Sequence, residues 1–209
     1  MRYRTLGSTG LMVSEIGFGG EWMDRSPEET LAVVRAAEEA GINILDCWMN
    51  DATRRSNLGD ALRELDSRER WHLGSTWQGG QYVRTRDLDL VRPAFEDLLE
   101  RFHTDYVDLG MIHYVDKVEE YERIVLGDSP FMRYVRELRA AGTIRHIGLS
   151  THNTEVARRV AENPEIEMML FSVNPAFDMM PATENLDDLF GDYTGVGEGG
   201  INADRAELY

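Results

Sequence analysis

Two carboxyls and one imidazole are placed where they could do chemistry. Asp46 ends the apolar run of "NILDCWMND", and Asp51 follows within the same stretch. His113 ends a second apolar run, "DYVDLGMIH". A carboxyl and an imidazole at one mouth could pass protons by general acid–base catalysis, if their surroundings bring their pKa values near the working pH. Each residue also has a structural reading. Asp46 could hydrogen-bond loop amides, and His113 could be a satisfied core histidine. Asp51 could cap a turn or pair with Arg54 or Arg55. The three could also ligate a cation, but the HxH and HExxH signatures are absent, so a metal site is not favoured.

These residues need elements to hold them. "RYRTLGSTGLMVSEIGFGG" predicts a hairpin turning at Gly7 to Gly10, then a short buried strand. "SPEETLAVVRAAEEAG" predicts a helix, with Ser26 as N-cap, Glu29 completing a capping box, Pro27 in the first turn and Gly41 at its end. The strand "INILDCW" follows. The same unit recurs through "RWHLGSTW", "DYVDLGMIH", "IRHIGLS" and "IEMMLFSVN", with helices between them. Pro93 implies a late start or a kink in the helix "LDLVRPAFEDLLERF". Alternating strands and helices predict a parallel sheet covered by helices. No GxGxxG follows the first strand, which favours a (β/α) barrel over a doubly wound dinucleotide fold. A closed barrel of eight units takes about 250 residues. The 209 residues, read as one domain over 1–209, therefore predict a (β/α)8 barrel cut before its last two strands. The alternative is a complete open sheet of six strands.

The bulk composition bounds the partners. The chain carries 38 acidic and 22 basic residues, a formal charge of −16, so nucleic acid and anionic membrane are poor partners. It has one cysteine, Cys47, which allows no disulfide within the chain and no cysteine-rich metal site. The start lacks the apolar core of a signal peptide, and no apolar run approaches a membrane span, so a cytoplasmic protein is expected.

A barrel puts its active site at the C-terminal ends of its strands. That rule selects Gly20 and Trp22 after the first strand, Asp46 and Asp51 after the second, and Ser75, Thr76 and Trp77 after the third. It then selects His113 after the fourth, Ser150, Thr151 and His152 after the fifth, and Ser172 after the sixth. His72 and His103 lie near strand starts and read as structural. Cys47 should face the helices as a small buried hydrophobe.

Four collinear stretches carry a resemblance. "YRTLGSTGLMVSEIGFGG", "AAEEAGINILDC", "TDYVDLGMIHYVD" and "LRAAGTIRHIGLS" resemble the aldo-keto reductases. The resemblance implies a barrel that uses NADPH to reduce carbonyls, with a tetrad of Asp, Tyr, Lys and His. Asp46 and His113 fill the Asp and His positions. Asp51 stands where the proton-donating tyrosine is expected, and Thr76 (Ser75 on a shifted register) where the lysine is expected. The only lysine is Lys117. The resemblance makes Gly20, Trp22, Ser150, Thr151 and Ser172 the candidate cofactor contacts, with Thr151 in a position the family fills with asparagine. "DCWMND", "GSTWQGGQY", "MIHYVD" and "LSTHN" are similar to a divergent branch, some members of which carry a Cys-rich ferredoxin-like segment absent here.

Two functions follow. One is an aldo-keto reductase-like oxidoreductase acting on small carbonyl compounds with an altered tetrad, in which Asp51 or His113 supplies the proton. The other is a non-catalytic barrel fragment that binds a partner, or associates with itself through exposed sheet edges.

Overall fold

The amino-terminal residues form a hairpin because two glycines take left-handed φ values, +49° at Gly7 and +75° at Gly10, where a side chain would be strained. In the computed structural model, which describes residues 1–20, 26–47, 51–76, 85–173 and 207–208, strands β1 (Tyr3–Thr5) and β2 (Met12–Ser14) pair antiparallel with Thr5 opposite Met12. The hairpin lies across the N-terminal ends of later strands. The Asn43 side chain accepts from Ser14 N at 2.7 Å and donates to the Met12 carbonyl at 2.9 Å. A Cβ on Gly7 would sit 2.5 Å from the Glu167 carbonyl oxygen, so the turn packs against the entry to the last described strand.

The parallel sheet then runs in chain order: β3 (Phe18–Gly19), β4 (Ile44–Cys47), β5 (His72–Thr76), β6 (Val107–Ile112), β7 (Ile144–Thr151) and β8 (Met168–Phe171). Every neighbouring pair is parallel, and the six strands curl as part of a (β/α) barrel. The crossovers are α1 (Pro27–Glu39), α2 (Ala52–Glu64), α3 (Leu88–Arg101), α5 (Pro130–Ala141) and α6 (Thr154–Ala161). A short α4 (Val118–Glu120) runs into a π-helical turn, Tyr121–Leu126, before α5.

Two serines cap their helices. The Ser26 hydroxyl accepts from Glu29 N at 3.3 Å, and the Ser129 hydroxyl accepts from Met132 N at 3.1 Å. Gly142 ends α5 with φ +78°. Ala40 is the last cap of α1 and Gly41, at φ +82°, lies one residue beyond it. Pro93 does not delay its helix. Asp87 caps α3 by accepting from Asp89 N at 3.0 Å, and the helix continues through Pro93. The proline removes one backbone donor, and the cap and the packed face of Val91, Phe95 and Leu98 hold the remaining turns.

Sidedness follows the strand period. Leu45, Cys47, Leu73, Ile147 and Leu149 are buried in the layer between sheet and helices, so Cys47 is the small buried hydrophobe expected. The opposite parity faces the barrel interior: a Cβ on Gly74 would lie 3.7 Å from Asp46 Oδ1 and 3.8 Å from the Leu109 Cβ. Met111 fills the interior over Gly148, where a Cβ would come within 2.3 Å of its sulfur. Between α2 and α3 the approach is closer still. A Cβ on Gly59 would fall 1.9 Å from the Arg101 carbonyl oxygen and 2.7 Å from Phe102 Cα. Backbone cannot yield as a side chain can, so Gly59→Ala should destabilise the fold by about 3 kcal/mol or more. A urea melt within about 0.5 kcal/mol of the parent would refute that close approach.

An ionic hub closes the N-terminal end of the strands. Asp108, on the second residue of β6, accepts from Leu73 N at 3.0 Å and meets Arg68 at 3.4 Å, Arg145 at 3.1 Å and His72 at 3.8 Å. Both guanidiniums also lie over the Tyr106 ring, at 4.3 and 3.7 Å. His103 pairs with Asp60 at 2.7 Å on the outer helices. Both histidines expected to be structural are thus partnered far from the strands' C-terminal ends.

Candidate active site

At the opposite end of the strands the polar residues gather. Asp46 stands one residue before the end of β4, with its backbone carbonyl accepting from Gly20 N at 2.8 Å. Its side chain is half-buried on the interior face. Among the described residues no cation reaches its carboxyl. Arg54, one of the two guanidiniums that could have held it, pairs with Asp51 instead. Burial without a compensating charge pushes the Asp46 carboxyl up to about 7. Near neutrality it is divided between a proton-holding acid and an anion, which is the condition for an acid–base group.

Asp51 has the capping role left open by the sequence. Its Oδ1 accepts from Arg54 N at 3.0 Å as the N-cap of α2, and Oδ2 meets the Arg54 guanidinium at 3.5 Å. Both carboxyl oxygens of Asp51 are thus engaged within the protein, so the proton is better sought at Asp46. Trp22, Trp48, Trp77 and the side chains of Ser75 and Thr76 lie outside the described residues. The Thr76 backbone lies in β5 opposite Met111. Gly20 packs closely: a Cβ there would meet Leu58 Cδ1 at 2.8 Å. Ser172 follows β8 and is half-buried.

His113 follows β6 and is buried. Its Nδ1 lies 3.4 Å from the Ser150 hydroxyl, which in turn accepts from Tyr114 N at 2.7 Å. Its backbone carbonyl accepts from Arg86 Nη2 at 2.6 Å, and that guanidinium also pairs with Glu120 at 3.1 Å. The start of α3 therefore clamps the loop that carries His113.

The same loop holds a residue that the sequence reading passed over. Asp116 is buried, and its carboxylate accepts from the Thr151 hydroxyl at 3.1 Å and from His152 N at 2.7 Å. Its other oxygen lies 3.0 Å from His152 Nδ1. Thr151 also accepts from Asn153 N at 3.1 Å, so the hydroxyl placed among the cofactor contacts is engaged within the protein. The available signal was the spacing of "HYVD", which puts a carboxylate three residues beyond His113. Its importance could not be read without knowing that β7 lies alongside β6.

Among the described residues no group of three or more His, Cys, Asp and Glu is placed to hold a metal ion. No helix among them is long and apolar enough to cross a membrane.

The chain is similar to known proteins. The profile of the Aldo/keto reductase family matches residues 15–191. Aldo-keto reductase YhdN of Bacillus subtilis (strain 168) is 27% identical over 167 residues, covering 74% of this chain and 48% of that protein. The uncharacterized oxidoreductase YqkF of the same strain is 29% identical over 192 residues, covering 87% of this chain and 58% of its own. L-galactose dehydrogenase of Arabidopsis thaliana is 29% identical over 156 residues, 70% of this chain and 47% of that protein. The chain thus spans about half the length of the curated relatives it matches. In fold it is similar to aldo-keto reductase AKR11C1 from Bacillus halodurans in its holo form, with a TM-score of 0.69 and 24% identity, covering 83% of this chain and 58% of that one. With the profile spanning most of the sequence and the polar mouth at the end of the strands where a barrel enzyme works, the chain belongs to the aldo/keto reductase family.

Proposed function

We propose that this mouth carries out NADPH-linked interconversion of a small carbonyl compound and its alcohol, with Asp46 in place of tyrosine as the proton donor. The observation that carries this reading is the Asp46 carboxyl at the end of β4, raised to about 7 by burial, with no cation among the described residues to hold it as an anion. Asp51 and Thr76 replace the family's tyrosine and lysine, and an acid that titrates near neutrality removes the need for that pair.

The described residues fit the nicotinamide end of the coenzyme. The Ser150 hydroxyl, beside His113 at the β7 end, offers a polar contact. Bound there, NADPH supplies hydride. Asp46 in its acid form hydrogen-bonds the substrate oxygen and transfers its proton as the alcohol forms. His113 orients that oxygen, and the Arg86 clamp holds the loop that positions His113. Solvent reprotonates Asp46 through its exposed edge. The acidic surface suits a neutral substrate better than nucleic acid or an anionic membrane.

The test is carbonyl-dependent loss of NADPH absorbance by the whole chain. Turnover should fall about tenfold per pH unit above about 7, as Asp46 loses its proton, and His113→Ala should lower it. Coenzyme binding without turnover would favour the second reading, a binding module, which the capping role of Asp51 also supports. Absence of both binding and turnover would sink the oxidoreductase assignment.

A further inference from the structure

We propose that Asp116 is a positioning residue for this mouth: through His152 and Tyr114 it sets the orientation of the His113 imidazole. The kinetic consequence rests on the oxidoreductase reading above; the positioning itself does not.

His113 stands where the regular pairing of β6 with β7 stops. The last paired residues are Ile112 and Leu149. Beyond them Tyr114 turns the chain with φ +57°, a left-handed value uncommon for an aromatic residue. Two amides of the turned loop then converge on one residue of β7. Tyr114 N donates to the Ser150 hydroxyl at 2.7 Å, and Val115 N donates to the Ser150 carbonyl at 2.9 Å. These bonds already join the loop to β7, so strand pairing does not require a buried carboxylate one residue further on.

Asp116 is nevertheless such a group. Its side chain is only 1% exposed, and burying a carboxylate is expensive unless its lone pairs are served. The structure serves it from one short segment: the Thr151 hydroxyl, the His152 N–H and His152 Nδ1. Its backbone carbonyl accepts from Asn153 Nδ2 at 2.9 Å, so main chain and side chain are fixed together. A carboxylate can only accept, so His152 Nδ1 donates, and that bond fixes the orientation of the His152 ring. The fixed ring packs 4.8 Å from the Tyr114 ring, which lies 5.7 Å from the His113 ring. Carboxylate, imidazole, phenol and imidazole thus form one row from the buried anchor to the candidate site. Packed rings transmit position because each limits the tilt of the next. Arg86 holds the His113 main chain, the Ser150 hydroxyl meets its Nδ1, and the row sets the tilt of the ring.

Asp116→Asn keeps the shape and the oxygen that serves Thr151 and the His152 N–H. It puts a donor where His152 Nδ1 donates, so the neutral ring must exchange its tautomer or lose the bond. With NADPH and propanal, kcat of the whole chain should fall about tenfold or more, while Kd for NADPH stays within about twofold. A readout without turnover accompanies this. The His113 imidazole resonances should move in Asp116→Asn, while those of His72 and His103, far from this mouth, stay put. His152→Ala removes the first ring of the row and leaves Asp116 the Thr151 hydroxyl and the backbone N–H. The His113 resonances should move there too, and they decide the matter if Asp116→Asn does not fold. A merely structural Asp116 would lower the urea midpoint and leave the His113 resonances of the folded protein in place. That result overturns the proposal, as does a kcat within about twofold of an active parent. If the parent chain does not oxidise NADPH with propanal, the oxidoreductase reading fails for this aldehyde, and the His113 resonances still decide the positioning role.

Discussion

Asp46→Asn is expected to make the protein more stable at pH 8 and to remove most of its activity. The carboxyl is raised from an ordinary 3.8 to about 7 by burial. The folded state therefore holds this proton more tightly than the unfolded chain does. The sign follows from linkage: stability from this group is full below about pH 3.8, falls as pH rises, and is lost once pH passes about 7. The shift corresponds to a ceiling of about 4 kcal/mol. The side chain is half-buried, so solvent screening reduces this, and about 1–2 kcal/mol is expected. Asparagine has nearly the same shape and no charge to desolvate. Its advantage over the parent in urea melts should be small at pH 4 and should grow to its full value by pH 8. An advantage independent of pH would mean that Asp46 is not desolvated as described. Asparagine also cannot deliver a proton, so turnover should drop by about 100- to 10,000-fold. A variant that is more stable but inactive is the pattern of a group kept at a cost for chemistry.

The second large effect lies at the other end of the barrel. Asp108→Ala should cost about 3–5 kcal/mol, because Arg68, only 13% exposed, is left with an uncompensated charge. Burial by itself would raise the Asp108 carboxyl. The His72 and Leu73 hydrogen bonds and the Arg68 and Arg145 charges outweigh it and leave the pKa below its ordinary 3.8. The sign is opposite to that of Asp46. Asp108 stabilises the fold above about pH 3.8, and that stability is lost as pH falls through its depressed folded value. The parent should therefore lose stability in acid more steeply than Asp108→Ala. Urea melts of both proteins between pH 2 and 7 measure this, and parallel pH curves would rule out the hub as described. Coenzyme binding at the far mouth should be little changed in the folded fraction, since the charged cluster at this end serves the fold.

The two aspartates show what a local reading reaches. Both sit in similar apolar strands, and nothing in "NILDC" or "YVDLG" says that one is raised and the other lowered. The difference comes from β5 and β7 and the loops before them, which bring Arg68, Leu73, His72 and Arg145 to Asp108 and only the backbone of Gly74 to Asp46.

The sequence by itself determined the elements and their order. Strand periodicity, the caps at Ser26 and Ser129 and the left-handed glycines at 41 and 142 act within a few residues, so their physics is written locally. It also determined the family, because the strand ends that carry Asp46 and His113 keep their spacing. Tertiary structure decided what those ends do. It made Asp51 a helix cap, because α2 begins at the next residue and its first amides need an acceptor. It made Asp116 a buried anchor, because β6 and β7 are neighbours and bring Thr151 and His152 to it. Among the described residues it left Asp46 without a cation. Charge state is set by what surrounds a group in space, and those neighbours come from segments far apart in the chain.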